Sequence, residues 1–154
     1  MSSTDLLLFD AVAEACRTIV PPELGLLRAR SHRYGTKIWF DTERPGREHY
    51  EAQVVGARYV EEATVLALEI GFHAEHPTLT DNDLAITKLT EAETAWRSVL
   101  GEPVVVGPFL GRGDLWRRAS ETWPDPDLGD EELVLDIADR LVDYIVCFEP
   151  VLRR

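Results

Sequence analysis

A chain of 154 residues with 45% hydrophobic side chains fits one domain, residues 1–154, with a core of its own. The net charge of −12 argues against general affinity for nucleic acid or for an anionic membrane, since both need clustered Lys and Arg. Met1–Asp5 lacks a basic start, Leu6–Phe9 is too short for a targeting core, and no apolar run approaches the roughly 20 residues of a spanning helix; a cytoplasmic protein is expected.

In chain order, Leu8, Val12, Ala15, Cys16 and Ile19 recur at helical spacing, which predicts a helix over 5–19 capped by Ser3 or Thr4. Pro21 and Pro22 end it, and proline's tolerance in a first turn predicts a second short helix over 22–30. Three alternating segments follow. Ile38 and Phe40 oppose Lys37, Trp39 and Asp41; Tyr50, Ala52 and Val54 oppose His49, Glu51 and Gln53; Leu66, Leu68, Ile70 and Phe72 oppose Ala67, Glu69, Gly71 and His73. The Arg44-Pro45-Gly46 turn and the short connections predict an antiparallel meander of strands over 36–41, 48–55 and 64–73, greasy on one face and polar on the other.

A continuous helix is expected from Thr80 or Asp81 to Leu100, closed by Gly101, then a short strand over 104–106. Signals for strand and helix compete over 115–123. The final helix, over 130–148, carries the ridge Leu133, Ile137, Leu141 and Ile145, and Pro150 is expected to end it. The class is α+β: a three-stranded antiparallel meander extended by one or two strands, with helices packed on one face, in the order α-(α)-β-β-β-α-β-(β)-α.

Charge is uneven along the chain. Residues 1–60 carry eight basic and eight acidic side chains, so residues 61–154 hold the whole excess. Within the first part, Arg28, Arg30, Arg33, Lys37, Arg44 and Arg47 face only Asp41 and Glu43. This local positive excess suits an acidic partner, through Arg28, Arg30, Arg33 and Lys37, or the acidic body of a second copy in a homodimer. Cys16 and Cys147 belong to no C-x-x-C pair and fall on apolar helix stripes, so both are expected as reduced core residues.

No catalytic signature stands out. Ser98 and Ser120 lie outside any G-x-S-x-G, and the Gly107–Gly113 loop lacks the G-K-[ST] of a phosphate loop; no cofactor is expected. His73 and His76 end a strand, where positions three apart point to opposite faces, so they do not form a zinc pair as they would on a helix. The polar sheet face is the candidate surface. Pairing about the turn centre places Asp41 opposite His49 and Trp39 opposite Glu51, and one register of the next strand sets Glu51 beside Glu69. Ala67 and Gly71 leave room above the sheet, and Trp39 offers a floor for stacking. A separate aromatic-basic cluster comprises Trp116, Arg117, Arg118 and Trp123.

The α-β-β-β-α-β order resembles the restriction-endonuclease core. That resemblance implies Asp41 as its first acid and Glu69 as its second, but Gly71 stands where the family places Lys. The order is similar, too, to small bacterial chaperone-like α/β dimers. The ratio of 14 Arg to 2 Lys points to a GC-rich genome, and the chain as a whole resembles conserved bacterial proteins of actinomycete type. The leading expectation is a non-enzymatic binding or interaction protein, homodimeric, with the surface Trp39, Asp41, His49, Glu51, Glu69, His73, Trp116 and Arg117. The alternatives are a small metal-dependent hydrolase drawing on Glu51, Glu69, His73 and His76, and a small-ligand binder.

Overall fold

The computed structural model describes residues 3–43, 46–111 and 113–154, with side chains from Leu8 onward. The expected Ser3 or Thr4 cap, Arg44 and Pro45 lie outside the described residues or side chains. Helix α1 (Ser3–Ile19) leads into strands β1 (Leu27–His32), β2 (Gly35–Phe40), β3 (Glu48–Gly56) and β4 (Leu66–Ala74). Helices α2 (Leu79–Glu91) and α3 (Glu93–Leu100), strands β5 (Val105–Pro108) and β6 (Arg117–Pro124) and helix α4 (Leu133–Leu152) complete the chain. All strand pairs are antiparallel, in the order β1-β2-β3-β4-β6-β5. The α+β class and the central meander are as expected, and the sheet extends on both sides of it.

Three elements differ from the sequence reading, each for a local reason. The second helix is a single 3-10 turn, Pro22–Leu24, followed by β1. Gly25, at φ 109°, breaks the turn, and the Leu26 N–H donates to the Asp41 carboxylate at 2.8 Å, which aligns the chain to pair with β2. The long helix is interrupted at Ala92. The Trp96 indole N–H donates to the Leu89 carbonyl at 2.7 Å and so occupies the acceptor that Glu93 would use in a continuous helix. Pro150 lies inside α4 rather than ending it: the residue is exposed, and the Arg153 N–H still reaches the Glu149 carbonyl at 3.0 Å. The ambiguous segment is β6, and α2 is capped by Thr78, whose hydroxyl accepts from the Asp81 N–H.

Alternation puts Ile38, Tyr50, Ala52, Leu68, Ile70, Phe72 and Ala119 on one sheet face, buried against Phe9, Val12 and Cys16 of α1 and Ile137, Leu141, Tyr144 and Phe148 of α4. Helices α2 and α3 pack against α4. No helix among the described residues is long and apolar enough to cross a membrane.

Candidate metal centre

The opposite, polar face is largely covered, with Glu51, Glu69 and His73 buried. Residues 109–111 and 113–116 lie across it: the Phe109 ring lies 4.4 Å from the His73 ring, and Trp116 stacks edge-on against Phe109 at 5.5 Å. Buried Asn82 anchors this roof, its amide donating to the Leu115 carbonyl at 2.7 Å and its oxygen accepting from the His76 N–H at 2.7 Å. Gly111, at φ +68°, passes against the Tyr59 ring so closely that a Cβ would stand 2.2 Å from it. Beneath the roof, Glu51, Glu69 and His73 are 5%, 2% and 0% exposed.

Register sets which side chains meet. Strand β3 pairs with β4 so that His49 faces His73, Glu51 faces Gly71 and Gln53 faces Glu69. Strand β2 pairs so that Lys37 faces Glu51. Both registers are offset by two residues from the expected ones, which keeps every side chain on its expected face while changing its neighbours. Glu51 is therefore not directly opposite Glu69; His73 stands between their carboxylates.

Four groups converge there. His49 Nε2 lies 3.1 Å from Glu51 Oε1 and 3.2 Å from Glu75 Oε2, while His73 Nδ1 lies 3.2 Å from that same Glu51 oxygen and 3.3 Å from that same Glu75 oxygen. These four atoms form a closed ring in which nitrogen and oxygen alternate, and all lie within 4.8 Å of one another. A tetrahedral zinc site with bonds of about 2.0–2.1 Å has ligand–ligand edges of about 3.3 Å. The outer nitrogens are held as well. His73 Nε2 donates to Glu69 Oε2 at 2.7 Å, and His49 Nδ1 donates to the Gly46 carbonyl at 3.1 Å. Glu69 is fixed in turn by Gln53, whose amide donates at 2.8 Å, and by the Ser120 hydroxyl.

This arrangement has a definite chemical consequence. A neutral imidazole has one N–H, and here both nitrogens of each ring face groups that only accept. With the outer nitrogens donating, the inner ones point bare lone pairs at carboxylate oxygens. Two things relieve that: a second proton on each ring, or a cation inside the ring of donors. The electrostatics carry the same pressure. Burial disfavours a charged His73, but the Glu69 charge and the hydrogen bonds to Glu51, Glu69 and Glu75 outweigh it and push its pKa well above the ordinary value. His49 is raised by Glu51 and Glu75 against the same burial. Burial alone raises Glu51 and Glu75, yet the hydrogen bonds from the two histidines bring Glu51 down to about 2 and lower Glu75 too.

A cavity of about 420 Å³ opens beside this ring. Glu51, Glu69, Glu75 and Lys37 contribute its polar wall, and Phe109 and Trp116 its roof. Lys37 Nζ reaches Glu75 Oε1 at 3.9 Å.

Of the surface residues expected from sequence, His49, Glu51, Glu69 and His73 come together, and Trp116 roofs them. Four do not join. Trp39 is buried, donates to the Thr42 carbonyl at 2.7 Å and lines a separate cavity of about 400 Å³ with Asp41 and Arg153. Asp41 follows the end of β2 at φ 69° and is held by Leu26, so the pair Asp41 and Glu69 implied by the endonuclease resemblance does not form. Arg117 turns away to Asp83 at 3.1 Å. His76 bonds Glu48 at 2.8 Å, apart from the ring. The space expected above Gly71 is taken up by β6, since a Cβ there would stand 2.6 Å from the Ala119 carbonyl.

Glu75 is the member of the cluster that sequence reasoning missed. It lies two residues beyond His73, where the alternation of β4 continues on the same side past the strand end; H-x-E with the period of a strand was the available signal. The chain matches no protein-family model, no curated protein and no solved structure.

Proposed function

We propose that this protein is a metal-dependent small-molecule protein, holding one divalent first-row ion through His49, Glu51, His73 and Glu75. The observation that carries this reading is the closed ring of two imidazole nitrogens and two carboxylate oxygens with edges of 3.1–3.3 Å. Mixed imidazole and carboxylate donors suit zinc, cobalt, manganese or iron(II) better than calcium or magnesium. The support for each histidine from behind, by a carboxylate or a backbone carbonyl, is what metal-binding imidazoles require. Because Glu51 and Glu75 are also part of the cavity wall, a molecule in the cavity meets the ion's side of the ring. Such an ion supplies Lewis acidity, and hydrolysis of a small substrate is the reaction class this favours.

Metal content after dialysis against zinc, cobalt(II) and manganese(II), with melting temperature on the same samples, tests the proposal. One ion per chain is expected. At a hundredfold excess over Kd it adds about 2.7 kcal/mol of stability. Glu51→Gln with Glu75→Gln should abolish uptake and leave the circular dichroism unchanged. No stoichiometric uptake of any of these ions overturns the centre and leaves the two imidazoles as a protonated pair.

A homodimer carried by the basic segment is a separate proposal. It is supported by exposed Arg30 and Arg33, in and just beyond the edge strand β1. Light scattering at low and high salt decides it; a mass of 17.4 kDa in both retires the dimer.

A further inference from the structure

We infer that the cavity beside the proposed metal centre binds a small organic anion, a carboxylate carried on an apolar, ring-sized body. The inference rests on the centre described above and adds the charge and shape of what enters.

Charge selects the ligand's head. Glu51 and Glu75 together balance a divalent ion. Glu69 accepts from His73 and Gln53 and lies near enough to buried Arg118 to favour that residue's positive charge. The remaining charged group on the wall is Lys37. The carboxylate it reaches is Glu75, at 3.9 Å, and that group is committed to the centre. The loaded cavity thus carries an unbalanced positive charge at its polar end, where a carboxylate meets both the ion and an ammonium. An amine placed there is repelled by both.

Shape selects the body. The apolar part of the wall is Val54, Val55, Tyr59, Phe109, Leu110 and Trp116, set against a polar part that holds Gln53 beside the carboxylates and Lys37. A volume of about 420 Å³ falls within the range of about 300–1,000 Å³ typical of small-molecule sites. The roof is fixed rather than loose, because Asn82 holds the Leu115 carbonyl and the Phe109 ring rests on His73. A planar body between Trp116 and Tyr59 fits such walls.

The test uses three probes of one size: phenylacetate, 2-phenylethanol and phenethylamine. Each is titrated into zinc-loaded protein by calorimetry, with zinc measured on the same sample. Phenylacetate is expected to bind at least tenfold more tightly than the alcohol or the amine, and chelation of the zinc should weaken it at least tenfold. Lys37→Met, which keeps the apolar stem, should weaken phenylacetate at least tenfold with one zinc per chain retained; Lys37→Arg should restore it. Protein that takes up no zinc overturns the centre and this inference together. Protein with full zinc that binds the amine or alcohol equally well, or whose Lys37→Met form binds phenylacetate as wild type does, overturns this inference alone.

Discussion

Glu69 accepts from His73 Nε2 at 2.7 Å, and this one contact turns the other nitrogen of the ring toward the cluster. In the proposed centre Glu69 is thus a positioning residue rather than a ligand: it sets the tautomer and orientation of His73. Loss of such a support commonly lowers metal affinity about 10–100-fold. Glu69→Gln should weaken zinc by that amount in competition with a chelator of known affinity, while the ion still binds one per chain. Unchanged affinity would show that the orientation of His73 comes from its packing against Phe109 instead.

Gly71 permits the close approach of β6. A Cβ at this position would stand 2.6 Å from the Ala119 carbonyl and 2.6 Å from Ser120 Cα, and neither backbone atom can yield without moving the strand. Gly71→Ala should therefore cost about 1–3 kcal/mol in denaturant unfolding. Gly107→Ala, where nothing lies within 4 Å, is the control, with an effect within about 0.5 kcal/mol.

Burial pushes the Cys16 thiol up to about 12, and the Asp139 charge adds to the effect. In the unfolded chain a thiol ionises near about 8.5. The folded pKa is raised, so the stability this provides is fully present below about 8.5 and is lost as pH rises toward 12. Between pH 8 and pH 10, wild type should lose stability more steeply than Cys16→Ala. Equal slopes would mean that the thiol ionises as readily folded as unfolded.

Glu121 lies on the helix side of β6, buried, and accepts from Arg140 at 2.7 Å, Tyr144 at 2.8 Å and Trp123 at 2.7 Å. Arg140→Met leaves this carboxylate buried with only neutral donors and should cost about 3 kcal/mol. Adding Glu121→Gln should recover part of that loss, and a double-mutant cycle measures the coupling.

The faces of the central strands were legible because their period of two survives an error in register. Ile70 and Phe72 point to the core, and Glu69 and His73 away from it, in either alignment. The neighbours were not legible. Pairing in β2 and β3 stops at Ile38 and Tyr50, short of the tight Pro-Gly reversal that the turn residues suggest. The break at Ala92 depends on an indole four residues onward, and propensity along the helix does not register it. Strand β1 was hidden because Pro22 opens a helical turn as readily as a helix. The burial of the polar face comes from a roof anchored by Asn82, a contact between distant segments that leaves no periodic trace.

The register of β4 against β3 has a consequence for how the chain finds its native state. Hydrophobic patterning tolerates a slide of two residues, since every apolar side chain stays inward. A slide of that size separates His73 from His49 and scatters the four donors. An ion captured during folding would thus act as a pin, rewarding one alignment among several that the core cannot tell apart. Refolding with zinc present should yield a more uniform native population than refolding in chelator, with the difference largest where β3 and β4 zip together.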